Sequence, residues 1–151
     1  MWIHVCADII IMWRVFYKGK GNIKKVNILS YGMNQMADGD CLNPGVHAEQ
    51  DALNKLPSVK YKKKLELISL LVIRLSSKNK LQSSKPCATC IASMKIYPIK
   101  KGYKIQNIYY SDSEGNIIKK TINALDNEDK HYTRSYKRRR HPNWCTYLIL
   151  V

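Results

Sequence analysis

Residues 67 to 75 have the sequence Leu-Ile-Ser-Leu-Leu-Val-Ile-Arg-Leu, a nearly unbroken apolar run near the middle of the chain. The run is shorter than a typical helix and is bounded by polar segments, so it predicts a strand that is buried on both faces. A strand of this kind belongs to a sheet that is covered by helices. The run therefore predicts a protein of the α/β class.

Strands and helices are predicted on both sides of this run. Apolar stretches separated by turn residues predict a hairpin of two strands, Ile9–Val15 and Val26–Tyr31. Helical spacing of apolar residues predicts one helix from about His47 to Leu56, and a second begins near Cys87, directly after a proline. A further strand is predicted at Ile105–Tyr110. Elements that alternate in this order predict an α/β sandwich with a mixed sheet.

Positive charge dominates the composition. The 151 residues include 26 lysines and arginines but 11 acidic residues, which gives a formal net charge of +15. This imbalance favours an anionic partner such as a nucleic acid, a nucleotide or a membrane headgroup. A chain rich in lysine, isoleucine and asparagine is also what an AT-biased coding sequence produces, so charge alone leaves both interpretations open.

The sequence predicts neither a membrane span nor an export signal. It has no run of 18 apolar residues, and its N-terminus lacks a basic segment and is interrupted by Asp8. We therefore expect an intracellular, cytoplasmic protein without a membrane partner. An odd number of cysteines, five, also argues against a closed framework of disulfides.

The character of the chain changes near residue 130, which divides it into a domain at 1–129 and a basic tail at 130–151 with an apolar end. The tail combines cations with tyrosines and carries no acid between Lys130 and His141. This pattern is typical of a surface that follows phosphates and stacks bases, although a solvated arm has the same composition. The candidate nucleic-acid contacts are Tyr132, Arg134, Tyr136, Lys137, Arg138, Arg139 and Arg140.

Two cysteines form the first part of a predicted metal site. In Pro86-Cys87-Ala88-Thr89-Cys90, the two thiols lie one turn apart at the start of the second predicted helix. A helix N-terminus favours thiolates, and two converging thiolates bind a soft divalent metal, for which zinc is the best candidate. His47, at the start of the first predicted helix, is the best third ligand. Three protein ligands leave one tetrahedral position open, as in catalytic zinc sites.

Glu49 is the predicted catalytic residue. It follows His47 by two positions, so both side chains reach one site only if they project from the first turn of the helix. A carboxylate there can take a proton from a metal-activated water and pass it to a leaving amine. This division of roles predicts a zinc-dependent hydrolase.

The motif His47-Ala48-Glu49 followed by Pro86-Cys87-Ala88-Thr89-Cys90 resembles the signature of the zinc-dependent cytidine and deoxycytidylate deaminases. Gly32-Met33-Asn34 is similar to the strand-end Gly-x-Asn of that family. The resemblance implies a three-layer α-β-α fold with a mixed central sheet and substrate contacts from Asn34 and Ala48. It also implies self-association into a homo-oligomer.

The function implied by the resemblance is hydrolytic deamination of a cytosine-type base in a nucleoside, a nucleotide or a single-stranded nucleic acid, with release of ammonia. Two alternatives stay open. One is deamination of adenosine in RNA, and the other is a catalytically idle deaminase fold that binds nucleic acid. An intact Glu49 favours an active enzyme over the idle module.

Overall fold

The computed structural model describes residues 7–17, 23–35, 45–59 and 64–132 of the chain. No helix in these ranges has the length and apolarity that a membrane crossing requires. The elements in chain order are β1 Ala7–Tyr17, β2 Ile23–Met33, α1 Ala48–Lys55, β3 Glu66–Leu75, β4 Leu81–Gln82, α2 Ala88–Lys100, β5 Tyr103–Ser111, β6 Ile117–Lys120 and α3 Ile122–Asp126. The predicted α/β class with a mixed sheet is confirmed.

The strands form one six-stranded sheet with the order β2-β1-β3-β5-β6, and β4 pairs with the end of β3. Among the described strands, β3 and β5 are the parallel pair, and the other pairs are antiparallel. Parallel neighbours need a crossover connection, which α2 supplies. The start of α2 therefore lies at the edge where β3 and β5 end, and this edge is where ligands commonly bind in α/β proteins.

The sheet buries one face of β3 under helices. Ile68, Leu70 and Val72 are at most 3% exposed, whereas Leu67 is 49% exposed. The prediction that this strand is buried on both faces is therefore wrong. The three described helices contribute to a single core cluster with the even-numbered residues of β3, so they cover the same face.

Three short elements were not predicted from the sequence. β4 is two residues long, and half of the residues of β6 are lysines, so neither has the apolar pattern of a strand. Pairing with neighbouring strands, a tertiary contact, makes them strands. For α3 a local signal exists, since the Thr121 hydroxyl accepts a hydrogen bond from the N–H of Ala124 (3.3 Å) and caps the helix.

Helix α1 lies directly on the backbone of β2. Its alanines Ala48 and Ala52 are fully buried, and the Ser30 hydroxyl donates a hydrogen bond to the carbonyl of Ala52 (3.0 Å). A Cβ atom at Gly32 would lie 2.2 Å from the carbonyl oxygen of Ala48 and 2.4 Å from the nitrogen of Ala52. Glycine at position 32 is therefore what permits this close approach.

Lys101 joins the other ends of the two long helices. It follows α2, and its ammonium group donates to three carbonyls at the end of α1, those of Leu53 (2.9 Å), Asn54 (2.7 Å) and Leu56 (2.7 Å). A cation at this position also interacts favourably with the helix dipole. The contact holds α1 and α2 together at the ends remote from the predicted metal ligands.

We predict that Gly32→Ala will lower the free energy of unfolding by about 3 kcal/mol, because the added methyl group forces α1 away from β2. Urea denaturation measures this change. Gly115→Ala is the matched control: its φ of +88° strains an alanine, but the nearest atom to the new Cβ is 3.7 Å away. We expect a loss of about 1 kcal/mol there. An equal or smaller loss at position 32 would contradict the close-contact interpretation.

Candidate metal centre and its cavity

His47 and Cys87 occupy equivalent positions at the starts of the two helices. Each is the N-cap residue of its helix, with extended backbone angles of −69° and 148° for His47 and −76° and 164° for Cys87. Neither side chain makes the hydrogen bond that an N-cap side chain commonly makes to its own helix. Both side chains instead contribute to one cluster between the helices.

The cluster consists of His47, Cys87 and Cys90, whose ligand atoms all lie within 4.8 Å of one another. The Nδ1 atom of His47 is 3.2 Å from the sulfur of Cys90 and 3.5 Å from the sulfur of Cys87. Metal–sulfur bonds of about 2.3 Å and metal–nitrogen bonds of about 2.0 Å at a tetrahedral angle require a separation of about 3.5 Å. The three predicted ligands are thus brought together and could hold a metal ion.

The electrostatics of the cluster already favour one thiolate. The hydrogen bond from the Cys90 thiol, together with His47 and the backbone N–H of Cys90, outweighs burial and lowers the pKa of Cys87 to about 4. The neighbouring Cys87, burial and Glu49 raise the pKa of Cys90 in turn. Since metal ligands must lose their protons, binding a divalent cation displaces the proton that the two sulfurs share.

Glu49 lies beside the cluster in a buried position, with 7% of its surface exposed. Burial, more than any other cause, raises the pKa of Glu49, and the nearby Cys87, His47 and Cys90 also affect it. In a regular helix, residues 47 and 49 would diverge. They share one site because His47 is extended and only Glu49 is helical.

Asn34 connects the end of β2 to the start of α1. Its side-chain oxygen accepts a hydrogen bond from the N–H of Ala48 (2.8 Å), one of the N–H groups that the first turn of a helix leaves unpaired. Ala48 itself is fully buried. The substrate contacts proposed for Asn34 and Ala48 stay predictions, and Asn34 has a structural role in positioning His47.

Asp51 strengthens the same junction. Its carboxylate accepts hydrogen bonds from the N–H of Met33 (3.1 Å), from the Gln35 amide (3.3 Å) and from Lys55 (2.7 Å). Burial acts to raise the pKa of Asp51, but the bonds from Lys55 and Met33 outweigh it and hold this pKa below its usual value. The residue was not predicted from the sequence, since a helical aspartate has no distinctive motif.

The candidate metal ligands open onto a cavity of about 470 Å³, a volume in the range of small-molecule sites. The cavity lies at the carboxyl end of β3. It is lined by Asn34, His47, Glu49, Val72, Arg74, Ser83, Ser84, Lys85, Cys87 and His131. Sequence analysis did not identify Arg74, Ser83, Ser84, Lys85 or His131 as site residues, because they come from three separate segments that only the fold brings together.

The segment that carries Lys85 is fixed by a buried pair of serines. The Ser84 hydroxyl donates to the carbonyl of Val72 (2.8 Å) and accepts from the N–H of Ser111 (2.8 Å), and the N–H of Ser84 donates to the carbonyl of Ser111 (2.8 Å). These bonds tie the loop to the ends of β3 and β5. Lys85 is therefore placed on the cavity wall by a rigid support.

The chain beyond α3 forms another part of the cavity wall. The carbonyl of His131 accepts the N–H of Ala88 at the start of α2 (2.9 Å). Glu128 pairs with Lys85 (2.8 Å) and with Lys120, and Asp126 pairs with Lys95 and lies 3.6 Å from Lys130. Of the residues predicted to contact nucleic acid, Tyr132 is described and exposed, and Arg134, Tyr136, Lys137, Arg138, Arg139 and Arg140 lie outside the described residues.

Comparisons of the chain with protein-family models, with curated proteins and with solved structures give no significant match.

We predict that the purified protein binds about one equivalent of a divalent transition metal and that Cys90→Ser removes most of it, because a hydroxyl is a much poorer soft ligand than a thiolate. Elemental analysis after dialysis measures the metal content. Thr89→Ser is the control, since it changes an exposed neighbour of Cys90 that offers no ligand atom to the cluster. Equal metal content in the two variants would contradict the assigned ligands.

We predict that Asp51→Asn lowers the free energy of unfolding at pH 7 by about 1–2 kcal/mol, through weaker bonds to Lys55 and Met33. Because the pKa of Asp51 is lower in the folded chain than the value of about 3.9 in the unfolded chain, the contribution is present above that value and is lost as pH falls through the folded pKa. Denaturation from pH 7 to pH 3 should show the difference shrinking below about pH 4. Asp129→Asn, at an exposed position, is the control, and a difference that grows on acidification would refute this assignment.

Proposed function

We propose that the protein is a zinc-dependent hydrolytic deaminase that acts on a cytosine-type base. The observation that carries this proposal is that the buried Glu49 lines the same cavity as His47 and Cys87, two members of the cluster that could hold a metal ion. One neutral imidazole, two thiolates and one buried carboxylate are the protein groups that zinc-dependent deamination of a nucleobase uses. The resemblance to the cytidine and deoxycytidylate deaminases is part of the proposal. So is their three-layer arrangement, which requires a further helical layer on the face of the sheet opposite α1, α2 and α3.

His47, Cys87 and Cys90 would hold the zinc ion. When bound, zinc supplies a water molecule activated at neutral pH. With two thiolates and a neutral imidazole as ligands, the charge of the ion is balanced within the site. The buried position of Glu49 is suited to proton transfer, because a buried carboxyl group accepts and releases protons nearer neutral pH than an exposed one.

The reaction replaces one bond at C4 of the base. Water adds to C4, and Glu49 transfers one proton of this water to the ring nitrogen N3 and the second to the exocyclic amino group. The bond between C4 and the exocyclic nitrogen then breaks. Ammonia leaves with the bonding electrons and the proton that it received, and C4 becomes the carbonyl carbon of uracil. No oxidant or second substrate is required.

We predict that Glu49→Gln retains the metal but loses at least a thousandfold of the deamination rate, because an amide cannot carry the proton. Ammonia release and base products are measured with cytidine, its 5′-monophosphate, adenosine and short single strands of DNA and RNA. Glu114→Gln, which changes an exposed carboxylate in a turn, is the control and should behave as the wild type.

The products separate the alternatives. Uracil supports the proposal, and inosine would assign the same site to adenine. Zinc-loaded wild-type protein that releases no ammonia from any of these substrates would refute the proposed function. A fully active Glu49→Gln variant would refute the role of the carboxylate.

A further inference from the structure

We infer that the wall of the cavity contributed by Lys85 and Arg74 binds a phosphate group, so that the substrate is a nucleotide unit and not a free nucleoside. The inference rests on the proposed function for the base-binding part of the cavity. The phosphate group would lie beside the base. Lys85 and Arg74 would then distinguish phosphorylated from unphosphorylated substrates.

The positive charge of Lys85 is only partly neutralised by its ion pair with Glu128. Its partner, Glu128, also pairs with Lys120, so one carboxylate is shared by two ammonium groups. This three-residue cluster carries a net positive charge beside the cavity. Glu128 also restrains the Lys85 side chain, and the serine pair fixes its backbone, so little conformational freedom remains to be lost when an anion binds.

Arg74 supplies a second cation from another element. It lies at the carboxyl end of β3 and lines the same cavity as Lys85. A guanidinium group binds phosphate through paired hydrogen bonds, whereas an ammonium group acts as a point charge. His131 also lines this cavity.

The charge in the cavity is divided between two regions. Glu49 is the one carboxylate among the described residues that line it, and it lies at the cluster of His47, Cys87 and Cys90. The cations come from the strand end and from the loop before α2. A base beside Glu49 and a phosphate beside Lys85 and Arg74 would each lie next to side chains of suitable charge.

Two sources could provide this phosphate: the 5′-phosphate of a free nucleotide and the backbone phosphate of a single strand. The chemistry of recognition is the same for both. A free nucleotide and an oligonucleotide therefore enter the test as separate ligands.

The test measures the binding of four ligands to the zinc-loaded full chain by isothermal titration calorimetry: cytidine, cytidine 5′-monophosphate, a five-residue oligodeoxycytidine and inorganic phosphate. We expect the monophosphate or the oligonucleotide to bind at least about tenfold more tightly than cytidine, the scale of one charged hydrogen bond. Lys85→Gln and Arg74→Gln should each remove most of this preference, measured as the ratio of the affinities for the monophosphate and for cytidine.

Lys119→Gln is the matched control. It removes one positive charge from an exposed lysine that does not line the cavity, so the preference for phosphate should persist. Lys120→Gln should instead weaken the preference, because Glu128 then neutralises Lys85 alone. Lys85→Arg keeps the charge and should keep the preference. Circular dichroism verifies that each variant is folded. If a variant fails to fold, the comparison of cytidine with its monophosphate on the wild type still decides the question.

Equal affinity of the wild type for cytidine, its monophosphate and the oligonucleotide would overturn the inference, as would full retention of the preference in both Lys85→Gln and Arg74→Gln. These outcomes differ from failure of the proposed function. A protein that deaminates cytidine and its monophosphate equally well keeps the function and loses the phosphate site. A protein that prefers phosphorylated ligands but releases no ammonia keeps the phosphate site and loses the function.

Discussion

The contact between the backbones of α1 and β2 determines where the candidate metal ligands can meet. Gly32 lets the helix lie against the strand, and Asn34 binds the first N–H of the helix, so His47 is held at the carboxyl edge of the sheet. Helix α2 connects the parallel strands β3 and β5, so its N-cap residue, Cys87, lies at the same edge of the sheet. Lys101 holds the far ends of the helices together, which leaves little freedom for the two starts to separate.

The electrostatic arrangement follows from this geometry. Two helix starts direct the positive ends of their dipoles at one point, where anionic sulfur is stabilised and where backbone N–H groups need partners. Glu49 lies in the same region but is buried enough to hold a proton more readily than an exposed carboxylate. Two of the 26 lysines and arginines, Arg74 and Lys85, line the same cavity. The proposed phosphate site therefore involves a small part of the net charge of +15.

The sequence predicted the parts that depend on local pattern. The hairpin, both long helices, β3 and β5 were predicted to within a few residues. Spacing and residue chemistry also predicted that His47, Cys87 and Cys90 meet, and the catalytic role of Glu49 stays a prediction. What the sequence missed depends on tertiary contacts: the partners that turn β4 and β6 into strands, the helices that cover one face of β3, and the meeting of Arg74, Lys85 and His131 at the cavity. None of these has a periodic or motif signal, because each is defined by residues distant in the chain.

If His47, Cys87 and Cys90 hold a zinc ion in a catalytic site, two sulfurs and one imidazole leave one coordination position open, whereas the coordination of a structural site is complete. X-ray absorption at the zinc edge of the purified protein measures this coordination shell. We expect two sulfur ligands at about 2.3 Å and two lighter ligands at about 2.0 Å, one of them from the histidine and one from solvent. Three or four sulfur ligands, or a shell of light atoms alone, would contradict this expectation.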